Sequence, residues 1–473
     1  MLSGGSPSLA RTYACAIPPS RLTGGIAVLA AALACAVAPA AGADPLATQQ
    51  EWLPRVVPAG IAPPAGAIPP IALIETGFDA DHPDMAGGWV EQRRYGPLPE
   101  RRDPDAVAEF ADGIAHGTAV AGVVGAPRDG RGLEGVLPGA RVWVYGNSGL
   151  CRDVAAAIRQ AVRDGARVIN ASYGFGPLGA CPEHRDATSY AFGAGVTVVA
   201  ASGNFRPTQP WIQPGNDLHV LTVNALNALD QPTGFSHQNL FSDLSAPGES
   251  ILVAVPTWAD VEDGVADGYA RWDGTSFAAP MVSAAAAWIL AGNPRLSADQ
   301  VAEVLRRSAR DIGRPGWDIS TGWGALDLGA AVRAAAPLND PYEPNDDIRW
   351  IDGRTGFRPD PPFLRTASRA TVRARIDVQK DPYDVYPVWV AGRSRVSIRL
   401  TPRAMATDLF VWPPGARTAY GRGALARSRR AGLAPDGLTI ANDAPRGRRV
   451  WVEVRGRRGR ALSGDYTLDL TRA

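Results

Sequence analysis

The sequence predicts an α/β domain with a mostly parallel sheet flanked by helices, followed by a small all-β sandwich. Three observations carry this. At 473 residues the chain exceeds what a single hydrophobic core usually serves. From 71 to about 336, apolar β-branched runs alternate with helix-like segments, the pattern of strands joined by helical crossovers. Past PLNDPYEPNDD (337–347), a turn-rich linker, only short runs of period two remain, among them VSIRL (396–400), DLFVW (408–412) and DYTLDL (465–470). The expected organisation is a leader over 1–43, an N-terminal extension over 44–70, the α/β domain over 71–336, the linker over 337–347 and the sandwich over 348–473.

The leader carries Arg11 and Arg21 and no acid. It runs through the apolar IAVLAAALACAVA (26–38) to A-G-A at 41–43, the pattern of a cleaved export signal. The apolar run is short and rich in alanine, so no stable membrane span is expected once the leader is removed, and no other stretch reads as one. The expected location is periplasmic or secreted. Composition is globular, with 20% charged residues and a net charge of +1, which gives no footprint for nucleic acid. Cleavage leaves Cys151 and Cys181, an even pair in an exported chain. One disulfide is expected, two buried free thiols being the alternative.

Within the α/β region, IALIE (71–75) is an apolar strand that ends on a carboxylate, Glu75, just before Thr76 and Gly77. In open parallel sheets the crevice beyond the strand carboxyl ends is where chemistry is placed. GIAHGTAVAGVVG (113–125) sets His116 at the start of a helix whose glycines permit close packing. DGTSFAAPMVSAAAA (273–287) opens a second helix at Ser276, with Pro280 read in the first turn, where a missing N–H costs little. A serine there lies in the positive end of the helix dipole, with its own N–H free for an oxyanion. VTVVAASGN (196–204) ends on Asn204, whose amide supplies a second donor. A hydroxyl becomes a useful nucleophile when an imidazole takes its proton, and the imidazole needs an acid to fix its tautomer.

With IALIETG, HGTAVAG, AASGN and GTSFAAP in this order, the sequence resembles the subtilisin-like serine peptidases over roughly 50–336. The resemblance implies a subtilisin-like domain in which Ser276 is the nucleophile, His116 the general base and acid, and Asn204 an oxyanion donor beside the Ser276 N–H. It further implies that Ser172, Tyr173 and Gly174 pair with substrate backbone, and that Ala201, Ser202 and Gly203 line one wall of the specificity pocket. Singly, each has a plainer role: Asn204 as a turn cap, Ser172 as a strand end. The departure is Glu75, because the family carries aspartate in this I-D-T-G position. Asp79 and Asp81 lie beyond the turn and read as structural rather than as substitutes.

No cofactor is needed for such chemistry. The resemblance also implies a structural calcium ion near Asp84 and Asp129, with Gln49 or Gln50 as an amide ligand, while ordinary turn roles account for both acids as well. Cys151 and Cys181 each follow a strand carboxyl end, which places a bridge on the active-site side of the sheet. The stretch between the expected cleavage and the first strand is shorter than the pro-domain many secreted members carry. The tail, with DPYEPNDD, DPYDVYPVWV and GDYTLDL, resembles the bacterial pre-peptidase C-terminal domain. The expected activity is exported serine endopeptidase, acting on protein or peptide as a monomer. The alternative is a catalytically impaired fold that binds peptides or surfaces.

Overall fold

The computed structural model describes residues 44–94, 104–175, 181–205, 212–261, 264–354, 359–459 and 461–472. The expected leader, 1–43, therefore lies outside the described residues. A short helix α1 (Leu53–Val56) precedes strand β1 (Ile71–Glu75). Strands β2 (Val90–Arg94), β3 (Val142–Gly146), β4 (Val168–Ala171), β5 (Thr197–Ala201), β6 (Val220–Leu226) and β7 (Leu244–Pro247) join β1 in one seven-stranded sheet. The order is β2-β3-β1-β4-β5-β6-β7, and every neighbouring pair is parallel. Helices α2 (Pro104–Gly125) and α5 (Thr275–Gly292) cover one face, with α6 (Ala298–Ser308) beside them. Helices α3 (Cys151–Asp164) and α4 (Pro182–Gly193) cover the other.

Strand alternation divides the two cores. Ile71 and Leu73 pack with α2 and α5, whereas Ala72 and Ile74 pack with α3 and α4. Carried one step further, the alternation turns Glu75 toward the α2 side. Helix α5 is long and apolar enough to cross a membrane by composition, which the sequence reading did not register. It is instead the central core helix, buried along nearly its whole length because small alanines let the sheet approach from one side and α2 from the other.

After an antiparallel pair, β8 (Ile251–Ala254) and β9 (Tyr269–Trp272), the chain passes through α5 and α6 into two stacked antiparallel sheets. One holds β10 (Arg369–Asp377), β12 (Ser394–Pro402), β15 (Asp436–Asn442) and β17 (Ser463–Arg472) in the order β10-β17-β12-β15. The other holds β11 (Tyr383–Val390), β13 (Thr407–Trp412), β14 (Ala426–Ser428) and β16 (Arg448–Gly456) in the order β11-β16-β13-β14. Inward residues such as Val372, Ile398, Leu468, Val388 and Val452 fill the space between the sheets. The second sheet is buried on both faces, since Ile348, Trp350 and Ile351 pack against its Phe410, Trp412 and Trp451. The α/β fold with an all-β C-terminal part is as the sequence predicts.

Candidate active site

Glu75 closes β1 almost fully buried, 7% exposed, and its Oε2 lies 3.0 Å from His116 Nδ1. The imidazole is on α2, which starts earlier than expected, at Pro104, so His116 stands well inside the helix and not at its head. Close approach of that helix is what brings the ring to the acid. A Cβ on Gly117 would lie 2.0 Å from the Gly77 carbonyl oxygen, and one on Gly113 would lie 2.3 Å from Thr76 Oγ1. Glycine at both positions lets α2 rest directly on the 75–77 turn. Burial opposes charge on the imidazole, but the Glu75 charge and its hydrogen bond outweigh this and raise the His116 pKa above its ordinary value.

Ser276 is the second residue of α5, where an N–H has no intrahelical partner. Thr275 N–H donates to Asn204 Oδ1 at 3.0 Å, and Phe277 N–H to Gly274 O at 3.1 Å. Among the described residues the Ser276 N–H has no acceptor, as oxyanion chemistry requires. Asn204 Oδ1 also accepts from Thr275 Oγ1 at 2.9 Å, which leaves the Nδ2 end of the amide to face the cleft. Thr275 was missed in the sequence reading. Its position beside the serine was the available signal, but its role depends on a contact across 71 residues.

Pro280 is the sixth residue of α5 and not in its first turn. The bond it cannot make is the one to the Ser276 carbonyl. Ser172 Oγ supplies that donor at 2.7 Å, and Ser276 Oγ in turn donates to Ser172 O at 3.1 Å. The proline thus frees a carbonyl through which β4 grips the head of α5. Behind Ser172, Asn170 Nδ2 donates to Ser172 Oγ at 2.9 Å and Ser283 Oγ donates to Asn170 Oδ1 at 2.9 Å, all buried. Neither Asn170 nor Ser283 carries a signal in the sequence.

His116, Asn204 and Ser276 line one cleft of about 470 Å³ with Phe277, Trp272 and Arg271. Segments 172–174 and 201–203 leave adjacent strands, β4 and β5, on the same side. Ile212 sits between them, since a Cβ on Gly174 would meet its Cγ2 at 2.7 Å and one on Gly203 its Cδ1 at 2.5 Å. Tyr173 Oη pairs with His184 Nε2 at 2.7 Å, and its ring makes edge contacts with Phe175 and His184. Cys151 and Cys181 form a disulfide with Cα atoms 5.7 Å apart, and the Cys181 N–H donates to Gln213 Oε1 at 2.8 Å. Asp79 and Asp81 stay apart from the imidazole: the Asp79 N–H donates to Thr118 Oγ1, and Asp79 Oδ1 accepts the Asp81 N–H.

The subtilase family model matches residues 68–324, more than half of the chain. The chain belongs to the subtilase family. It is 32% identical over 300 residues to fervidolysin of Fervidobacterium pennivorans, covering 58% of this chain and 42% of that one. It is also 32% identical over 260 residues to subtilisin DY of Bacillus licheniformis, covering 52% of this chain and 86% of that one. A probable subtilase-type serine protease of Deinococcus radiodurans is 30% identical over 288 residues, 54% of this chain and 39% of the relative. This subtilase thus spans less than half the length of the first and third of these. Among solved structures, the psychrophilic subtilisin-like protease Apa1 of Pseudoalteromonas sp. AS-11 superposes with a TM-score of 0.50 at 19% identity, over 59% of this chain and 96% of that one, a likeness of fold.

Proposed function

We propose that this subtilase is an exported serine endopeptidase with a Glu75–His116–Ser276 triad. The observation that carries the reading is the buried Glu75 carboxylate at 3.0 Å from His116 Nδ1, in a cleft shared with Ser276 and Asn204. Glu75 keeps the proton on Nδ1, so that Nε2 is the free base. The Ser276 hydroxyl turns from the Ser172 carbonyl toward Nε2, gives up its proton and attacks the peptide carbonyl. The tetrahedral oxyanion is met by the Ser276 N–H and the Asn204 amide. His116 then returns the proton to the leaving amine, and water repeats the cycle on the acyl-enzyme. Segments 172–174 and 201–203 hold the peptide, and Ile212 closes the space between them with apolar surface.

The export leader, a monomeric state and a tail of the pre-peptidase C-terminal type complete the proposal, on the sequence patterns given above. A structural calcium ion near Asp84 and Asp129, with Gln49 or Gln50 as an amide ligand, belongs to the same proposal, with ordinary turn roles as the alternative for both acids. Asp84 Oδ2 accepts the Leu133 N–H at 3.1 Å and Oδ1 the Tyr269 hydroxyl at 3.2 Å, while Asp129 Oδ1 caps the Arg131 N–H. Gln50 is held at both ends by the Glu134 backbone, and the Gln49 carbonyl accepts from Arg271.

The deciding test is labelling of the purified protein with a fluorophosphonate. The expected result is one adduct, at Ser276, lost in His116→Ala and Ser276→Ala. An intact protein that stays unlabelled and cleaves no denatured protein is a peptide-binding fold without catalysis.

A further inference from the structure

One side chain links the β-sandwich to the peptide groove. Lys380 is the only lysine of the chain, and it lies in the turn between β10 and β11, 2% exposed. Its side chain leaves the sandwich and enters the α/β domain. There Nζ donates to Gly215 O at 2.7 Å and to Thr222 Oγ1 at 2.9 Å, with Asp243 Oδ2 at 3.4 Å. The Thr222 hydroxyl donates to the same Gly215 carbonyl, so two donors hold one oxygen. An ammonium is a compact charge with three donors, which suits this set of acceptors better than a planar guanidinium.

Gly215 belongs to 212–217, a loop buried throughout, which touches both segments proposed to hold the peptide. Gln213 exchanges two backbone hydrogen bonds with Phe175, at 2.8 and 3.1 Å, and so fixes the end of 172–175. Ile212 fills the space between Gly174 and Gly203, and a Cβ on Gly215 would lie 3.3 Å from the Ala201 carbonyl oxygen. The loop moves as one piece, because Asn216 N–H donates to Ile212 O at 2.9 Å and Asp217 N–H to Pro214 O at 2.8 Å. Burial drives the Lys380 pKa down to about 8 against the pull of Asp243. An apolar side chain often serves plain adhesion as well as a buried ion pair does. Asp243 does not depend on Lys380, since it pairs with Arg306 at 2.8 Å and accepts the Thr222 N–H at 2.8 Å. The specific gain from the ammonium is the position of Gly215 O.

We propose that Lys380 is a positioning residue for the substrate: from the sandwich it fixes loop 212–217 and so keeps Ile212 wedged between 172–174 and 201–203. The proposal rests on the peptidase reading of the cleft, and it makes peptide affinity depend on the docked sandwich. The chemical step does not, since Glu75, His116, Asn204 and Ser276 are held by the separate contacts described above. The domains also keep other bonds. His219 N–H donates to the backbone carbonyl of Lys380 at 3.1 Å, Gln379 Nε2 to Leu240 O at 2.6 Å, and Arg375 pairs with Glu303 at 2.6 Å. Loss of the ammonium therefore loosens the loop without undocking the sandwich.

The test compares the full chain with Lys380→Met, which keeps the length and removes the donors, and with Arg375→Met, which breaks a domain contact away from the loop. In Lys380→Met, KM for a chromogenic peptide is expected to rise about tenfold while kcat stays within about twofold. Fluorophosphonate, which needs only the chemical groups, should label Ser276 at the parental rate. Hydrogen exchange, followed in the Ser276→Ala background, should quicken at 212–217 and 172–175 when Lys380→Met is added. Arg375→Met should leave KM and the exchange of these segments unchanged, whatever it does to the melting temperature. Unchanged KM in Lys380→Met, an equal rise in Arg375→Met, or unaltered exchange at 212–217 overturns the proposal and leaves the peptidase reading standing. A parent chain that neither labels nor cleaves refutes that reading, and the proposal with it.

Discussion

Replacing Glu75 tests the proposed catalytic assembly at its most unusual residue. At 3.0 Å from His116 Nδ1, the carboxylate stabilises the imidazolium formed in the transition state. For unit charges at that distance and an effective dielectric constant of about 20, the attraction is ~5 kcal/mol, equivalent to about 10⁴ in rate. Glu75→Gln keeps size and one hydrogen bond but removes this attraction, so kcat is expected to fall by about 10³ to 10⁴, with KM little changed. Glu75→Asp keeps the charge but withdraws it by about one bond, ~1.5 Å. Helix α2 cannot follow, because Gly113 and Gly117 already rest on the 75–77 turn. A loss of about a hundredfold is therefore expected for the aspartate that other subtilases carry. The assay is steady-state hydrolysis of a chromogenic peptide, with active sites counted by fluorophosphonate and folding checked by melting temperature. Full activity in Glu75→Gln would show that this carboxylate is not the triad acid. A gain in Glu75→Asp would show that the backbone is still shaped for aspartate.

Asn204→Ala should lower kcat by about 10² to 10³ without a matching change in KM, as for removal of one oxyanion donor. Thr275→Val, which removes one of the bonds to Asn204 Oδ1, should give a smaller loss of the same kind, and a pure KM effect would refute that positioning role. Because Glu75 raises the His116 pKa and catalysis needs the neutral ring, kcat/KM should rise with pH through a midpoint above the ordinary ~6.5. The residual activity of Glu75→Gln should show that midpoint at lower pH; an unmoved midpoint counts against the coupling. Opening the Cys151–Cys181 bridge, which spans 30 residues, should cost about 3–4 kcal/mol on a chain-entropy basis and lower the melting temperature of Cys151→Ser with Cys181→Ser.

The sequence by itself determined the fold class and the chemical inventory. Strand period made IALIE a buried strand, and the same period turns Glu75 to the face that α2 covers, so a local rule fixed the direction of the proposed catalytic acid. The serine at a helix head, the amide of Asn204 and the paired cysteines were likewise legible, because each is a residue type tied to an adjacent structural boundary. Tertiary structure alone decided the distances. That His116 sits deep within α2, that Pro280 frees a carbonyl for Ser172, and that Thr275 aims the Asn204 amide all depend on contacts between elements far apart in the chain. The gathering of His219 with acids from 340–346 and 381–384 is the extreme case. Each looks like a turn former in its own neighbourhood, and only the docking of the sandwich takes them out of water together, where unbalanced charge becomes expensive.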